Sequence, residues 1–246
     1  MIIPTVQSEL VIADSTHPLD NVVWTALTTR QACLAQSYDQ SRRFLHEVST
    51  IAAFLEPNDR GWDSLTRLVD PGQVVTLALR EPYQPRPGWK LLLAIPMPQM
   101  VFQAGASQLC QCPIPDVHIT ELGAKDVPDM LELTALTKPG PFGKRTHELG
   151  RYVGIRHNGK LIAMAGERMK VPGYTEVSAV CTHPDYTGRG YARMLMDDVM
   201  QRILDRGETP FLHVRGDNVH AIALYEGIGF VRRVLSHLAV LKRAIP

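Results

Sequence analysis

Apolar residues recur at helical spacing from Ala192 through Leu195, Met196, Val199, Met200 and Ile203, and Gly207 follows Arg206 as a helix stop. Just upstream, 174–182 is a run of β-branched and small residues, the pattern of a mostly buried strand. The predicted order is therefore strand, loop, helix. Further strands are expected at 117–122, 152–156, 160–168, 211–214, 230–234 and 237–241. The second and third of these close as a hairpin on Asn158-Gly159, the strongest short-range hairpin signal. A helix is expected to run from an Asp126 cap to Thr137, with Pro128 in its first turn, and a short one at 146–149. In the first half, 20–36 and 41–55 carry helical patterning. The stretches 74–79 and 89–95 look like strands, separated by Pro82, Pro85 and Pro87. A break at 110–115, where Pro113 and Pro115 forbid regular pairing, divides 1–112 from 115–246.

The loop between strand and helix reads His183-Pro-Asp-Tyr-Thr-Gly-Arg-Gly-Tyr-Ala192. A loop of this kind aims several backbone N–H groups at one spot, and the helix behind adds the positive end of its dipole. Gly188 and Gly190 let backbone approach where a Cβ would block it, so the expected ligand is an anion, most simply a pyrophosphate. A dinucleotide-binding reading is weak, because the third glycine and a second strand-helix-strand unit are missing. A nucleotide-triphosphatase loop is excluded by the absent Gly-Lys-Ser/Thr ending.

Composition narrows the alternatives. Hydrophobic residues make up 45% of the 246, ample for packed cores in one large domain or two small ones. A net charge of +1 gives no long-range field toward nucleic acid or an anionic membrane. Cys33, Cys110, Cys112 and Cys181 form no disulfide framework and no metal-spaced double pair, so neither a metal nor an oxidising compartment is expected. With Glu9 and Asp14 near the start, no basic leader and no membrane-length apolar run, a cytoplasmic location is the expectation.

The loop fits Pro-x-x-x-Gly-x-Gly-x-Ala. After the strand at 211–214, the chain reads Asn218-x-x-Ala221-x-x-Leu224-Tyr225-x-x-x-Gly229-Phe230. These paired motifs, at this separation, resemble the GNAT superfamily of N-acetyltransferases, and the C-terminal stretch resembles its glycine N-acyltransferase-like branch. Two departures are Asp185, where the family often has Gln or Arg, and Thr187, where it often has Arg. Both spare the backbone donors but remove positive charge, for which Arg189 and Arg193 are candidate substitutes.

The resemblance implies an α/β (α+β) fold with a mixed central sheet flanked by helices, covering 115–246. For 1–112 it implies a degenerate GNAT half in a tandem arrangement, with an unrelated α+β cap as the alternative. It further implies acetyl-CoA as co-substrate, held by Val180, Cys181, Thr182, Thr187, Gly188, Arg189, Gly190, Tyr191, Ala192 and Asn218, with the Val180 N–H donating to the thioester carbonyl.

Tyr225 falls at the family's tyrosine position and is the candidate general acid toward the coenzyme sulfur; a core tyrosine with its hydroxyl at the rim is the competing reading. Glu176 is the candidate general base. Alternation places it on the same face as Val180, and burial is expected to raise its pKa toward the working range. A carboxylate at a strand end, facing solvent or pairing with Arg168, is the equally weighted alternative. Glu167, His213 and His183 are weaker candidates. Alternation puts Cys181 on the face opposite Glu176, as a buried small hydrophobe rather than a nucleophile. The segment 137–147, with Lys138, Arg145 and His147, is expected to cover the acceptor. The expected reaction is direct transfer of acetyl from acetyl-CoA to the primary amine of a small molecule or amino acid, by a monomer or homodimer. A non-catalytic acyl-CoA sensor is the alternative.

Overall fold

The computed structural model describes residues 17–103 and 114–245, so all but the last two residues of the expected break at 110–115 lie outside the described residues. The first half runs α1 (Val22–Thr28), β1 (Ala35–Tyr38), β2 (Ser41–Phe44), β3 (Ile51–Phe54), α2 (Asp59–Leu68), β4 (Val74–Leu79) and β5 (Trp89–Phe102). The second runs β6 (Ile119–Leu122), α3 (Val127–Thr137), β7 (Tyr152–His157), β8 (Lys160–Val171), β9 (Tyr174–Thr182), α4 (Tyr191–Asp205), β10 (Thr209–His213), α5 (Val219–Ile228) and β11 (Phe230–Arg243). Asn158 and Gly159 both have positive φ, 50° and 81°, which is what a tight connection between β7 and β8 needs.

The second half follows its pattern closely; the first does not. The helix expected over 20–36 stops at Thr28, where the hydroxyls of Thr25, Thr28 and Thr29 bond back to the carbonyls of Asn21, Trp24 and Thr25. The helix expected over 41–55 is instead β2, a turn and β3. Phe44, Val48 and Ile51 mimic a helical stripe because all three point at one cluster formed with Val22, Val23, Ala26 and Leu27 of α1. The two closing strands, expected at 230–234 and 237–241, are one, β11, which is paired through 235–236 and carries a bulge between Arg232 and Val234. Asp126 does not cap α3 through its side chain; its carboxylate accepts from the Gly123 N–H at 3.0 Å and from Arg156 at 2.7 Å.

The eleven strands of the described residues join one sheet in the order β1-β2-β3-β4-β11-β5-β10-β9-β8-β7-β6. Each half contributes an antiparallel meander, a helix and a strand parallel to the meander's last: β4 lies parallel to β3 as β10 does to β9. The final strands then cross over. β11 sits between β4 and β5, and β5 between β11 and β10, so neither half completes its sheet alone. Pro96 and Pro98 lie in β5 past the registered pairs with β10, where a ladder donor is not required, and their carbonyls accept from the N–H groups of Gly216 and Val214. Helix α4 and α5 pack with Met100, Phe102, Val177 and Phe230 on one face, and α1 fills the other against Phe211 and Met169.

Candidate active site

β9 and β10 are registered only at Tyr174–Thr209, Thr175–Pro210 and Glu176–Phe211; beyond this vertex β10 pairs with β5 instead. On its β10 side the stretch 177–182 thereby presents strand backbone to an open wedge, while its other edge stays paired to β8. At the wedge β9 carries a bulge: Ala179 and Val180 stand opposite one residue of β8, and Ala179 has a positive φ of 53°. The strand then passes through a 3-10 turn (Pro184–Tyr186) into the glycine loop and α4. Gly188 and Gly190 have φ of 75° and 80°, and Gly190 is the N-cap. Among the described residues no side chain caps α4 and no acid stands in its first turn, while Thr187 to Gly190 are exposed. An anion there meets free amides and the positive helix end. Arg189 lies beside it, its guanidinium 5.0 Å from the Tyr186 ring centre. Arg193 is less available, being paired to Asp197 at 2.8 Å.

The bulge corrects two expectations built on strict alternation. It shifts the parity of β9, so Glu176 faces the α1 side with Phe211 and His213, whereas Val180 packs on the α4 side. Cys181 falls with Ala179, Met164 and Tyr152, not opposite Glu176, and burial pushes its thiol up to about 11. The pKa of Glu176 also moves the other way. Burial alone would raise it, but Arg168 and His213 outweigh that and hold it at about 2. The carboxylate is fully buried and takes two bonds from Arg168, at 2.6 and 2.8 Å, one from the Met169 N–H at 3.3 Å, and a contact with His213 Nδ1 at 2.7 Å. Held this way it is a weak proton acceptor. Glu167 is likewise committed, to Lys170 and Arg206, both at 2.8 Å.

Tyr225 projects from α5 into the core beside Phe230. Burial, with a smaller contribution from the Cys181 thiol at the wedge, pushes its hydroxyl up to about 12, so it carries its proton through the neutral range. Asn218 caps α5, its side chain accepting from the Ala221 N–H at 3.1 Å. Thr182 Oγ1, at the end of β9, is buried without a partner among the described residues. On the other side of the bulge a narrow depression is lined by Pro139, Phe142, Tyr152, Arg168, Ser178 and Ala179. The Tyr152 hydroxyl beneath it is also buried, without a partner among the described residues. Arg145 does not offer a free cation to this depression, since it grips Glu148 at 2.7 and 2.8 Å. Lys138 is exposed at the C-cap of α3, and His147 Nδ1 is buried without a partner among the described residues. Sequence reasoning missed Tyr152 and Gln99. The available signals were a tyrosine facing Gly166 across a predicted hairpin and a lone amide in an apolar strand.

Fold and site together define an N-acetyltransferase of GNAT type. Residues 152–238 match the model of the FR47-like protein family. Over 84 residues, 33% of this chain and 52% of the relative, the sequence is 39% identical to "N-alpha-acetyltransferase RimI" of Mycobacterium tuberculosis; the match thus spans about half that relative's length. Over 118 residues it is 30% identical to "[Ribosomal protein bS18]-alanine N-acetyltransferase" of Escherichia coli K12, covering 46% of this chain and 79% of the relative. A solved structure from Novosphingobium aromaticivorans, described as an acetyltransferase from the GNAT family, superposes with a TM-score of 0.84 at 35% identity, over 94% of this chain and all of that one. The chain belongs to the GNAT family of acetyltransferases. These relatives are RimI-like and do not show the glycine N-acyltransferase-like branch expected from the C-terminal stretch. Among the described residues no helix is long and apolar enough to cross a membrane.

Proposed function

We propose that the protein transfers acetyl from acetyl-CoA directly to a primary amine in a ternary complex. The observation that carries this reading is the wedge between β9 and β10 leading onto the uncapped start of α4. In it the pantetheine arm lies along 180–182, the pyrophosphate meets the amides of Gly188 to Ala192, and Asn218 borders the coenzyme. The amine enters over the depression beside Ala179 and attacks the thioester carbon. Its C–N bond forms as the C–S bond breaks, the Val180 N–H steadies the carbonyl oxygen, and Tyr225 gives the leaving sulfur its proton. The amine's own proton passes to water. Glu176, tied to Arg168, acts as a fixed strut at the vertex rather than as the base.

The first half is best read as a degenerate copy of the same unit. Its β3 and β4 also part after a short parallel pairing, yet the start of α2 is closed: Asn58 accepts from the Gly61 N–H at 2.9 Å and Asp59 stands in the first turn. A carboxylate there repels a phosphate, so one coenzyme binds per chain. The acceptor is an amine, with two sources open to test: a free amino acid or polyamine, and the N-terminus of a protein. The second gains support from the E. coli relative, whose name gives an alanine of ribosomal protein bS18.

Thiol release from acetyl-CoA, measured with amino acids, polyamines and alanine-initiated peptides, tests the reading. Turnover with one class identifies the acceptor. Saturable acetyl-CoA binding with no turnover on any of them would favour a sensor.

A further inference from the structure

The vertex of the wedge is the inner end of a polar chain that begins at a half-buried ion pair between the two halves of the molecule and runs inward through buried Gln99 and the buried side chain of His213. Asp20, just before α1, pairs with Arg233 of β11. Arg233 donates to Gln99 Oε1 at 3.0 Å, and Gln99 Nε2 donates to the Leu19 carbonyl at 3.1 Å while lying 3.2 Å from His213 Nε2. His213 Nδ1 stands 2.7 Å from Glu176, which Arg168 holds from the far side. Gln99 is 1% exposed and is the direct cross-strand partner of His213 where β5 meets β10.

Donors and acceptors along this chain are fixed by its members. Arg233 can only donate, so the amide oxygen of Gln99 must face it and the amide nitrogen must face His213. That nitrogen can only donate, so His213 Nε2 must offer a lone pair. The ring proton then sits on Nδ1, where the Glu176 carboxylate accepts it. With His213 neutral, the charges of Asp20, Arg233, Glu176 and Arg168 cancel. A second ring proton would set an N–H against the amide N–H of Gln99, and turning the amide over to relieve this would set its nitrogen against Arg233. The charged groups around the ring are thus Glu176 from β9 and Arg168 from β8, with Arg233 from β11 and Asp20 ahead of α1 acting through Gln99.

We propose that Gln99, supplied by the first half of the chain, is a positioning residue that locks His213 in its Nδ1–H tautomer and thereby sets Glu176 at the vertex of the acetyl-CoA wedge. The site in one half is aligned by an amide from the other, which gives the crossed-over strands a functional consequence. His213, with both nitrogens engaged, is a strut and not a proton carrier.

The direct test is a long-range ¹H–¹⁵N imidazole correlation spectrum of the full chain at pH 8, without ligand. The expected pattern for His213 is a protonated Nδ1 and a bare Nε2. An Nε2–H tautomer in the unmodified protein would overturn the assignment. Gln99→Glu, nearly the same shape, replaces the donor with an acceptor and should add a proton at Nε2 while Glu176 keeps the one on Nδ1; an unchanged His213 pattern would equally overturn it. Gln99→Leu should lower kcat by roughly 10- to 100-fold through misplacement of the vertex, with KM for acetyl-CoA much less affected. Equal losses in both would mark Gln99 as merely structural. Should Gln99→Leu fail to fold, the two spectra still decide. The spectra require no turnover, so they stand even if the acetyl-transfer reading fails.

Discussion

Gly190 shows how far a single residue can be read from sequence alone. The motif asked for a position where backbone meets phosphate, and the structure adds a φ of 80°, which a β-branched side chain adopts only with strain. Gly190→Val is expected to abolish CoA binding in a protein that still melts cooperatively; retained affinity in a titration would show that the anion sits elsewhere. Tyr225→Phe keeps the ring against Phe230 and removes only the hydroxyl, so kcat should fall by about 10²-fold with little change in acetyl-CoA affinity. Unaltered turnover in steady-state assays would take Tyr225 out of the mechanism. Glu176 is where residue-level reading went astray. Its expected face and pKa both followed from unbroken alternation and burial, and the bulge at Ala179 and the Arg168 guanidinium reversed them. Because its folded pKa of about 2 lies below the ordinary 4.5, it contributes stability above pH 4.5 that drains away as the pH falls toward 2. Glu176→Gln leaves Arg168 buried without its counter-charge, which should cost about 3–5 kcal/mol at neutral pH. It should also shrink the stability difference between pH 7 and pH 3. Urea unfolding at both pH values measures this, and an undiminished difference would contradict the pairing.

Elements were legible where local chemistry and tertiary burial agree. The strand, glycine loop and helix from 174 to 205, and the hairpin on Asn158-Gly159, each carry their own turn or cap signals, and they formed as expected. The region 41–55 carries a periodicity created by three residues converging on α1 from two strands and a turn, and no local pattern reveals that origin. The contrast between α4 and α2 belongs to this scale. Both helices follow the last strand of a meander, but one begins on bare amides and the other on Asn58 and Asp59. Calorimetry with CoA should therefore give one site per chain, and a second saturable site would show that the acidic start of α2 is no barrier.

At the scale of the whole molecule, the crossing of β5 and β11 was not visible in the sequence, because strand order depends on pairings more than a hundred residues apart. It makes the second half dependent on the first. A fragment of residues 115–246 leaves β10 without β5 and β11 without both its neighbours, so it is expected to aggregate or remain unfolded by circular dichroism, whereas a soluble, cooperatively melting fragment would contradict this. Everything functional depends on the wedge and the α4 start receiving one coenzyme together. Amide chemical shifts of the full chain, titrated with acetyl-CoA, test this most directly. Saturable shifts should concentrate at Val180, Gly188, Gly190 and Ala192, with smaller ones near Tyr225. Saturation that leaves those amides unmoved, or no saturation at all, would contradict the account.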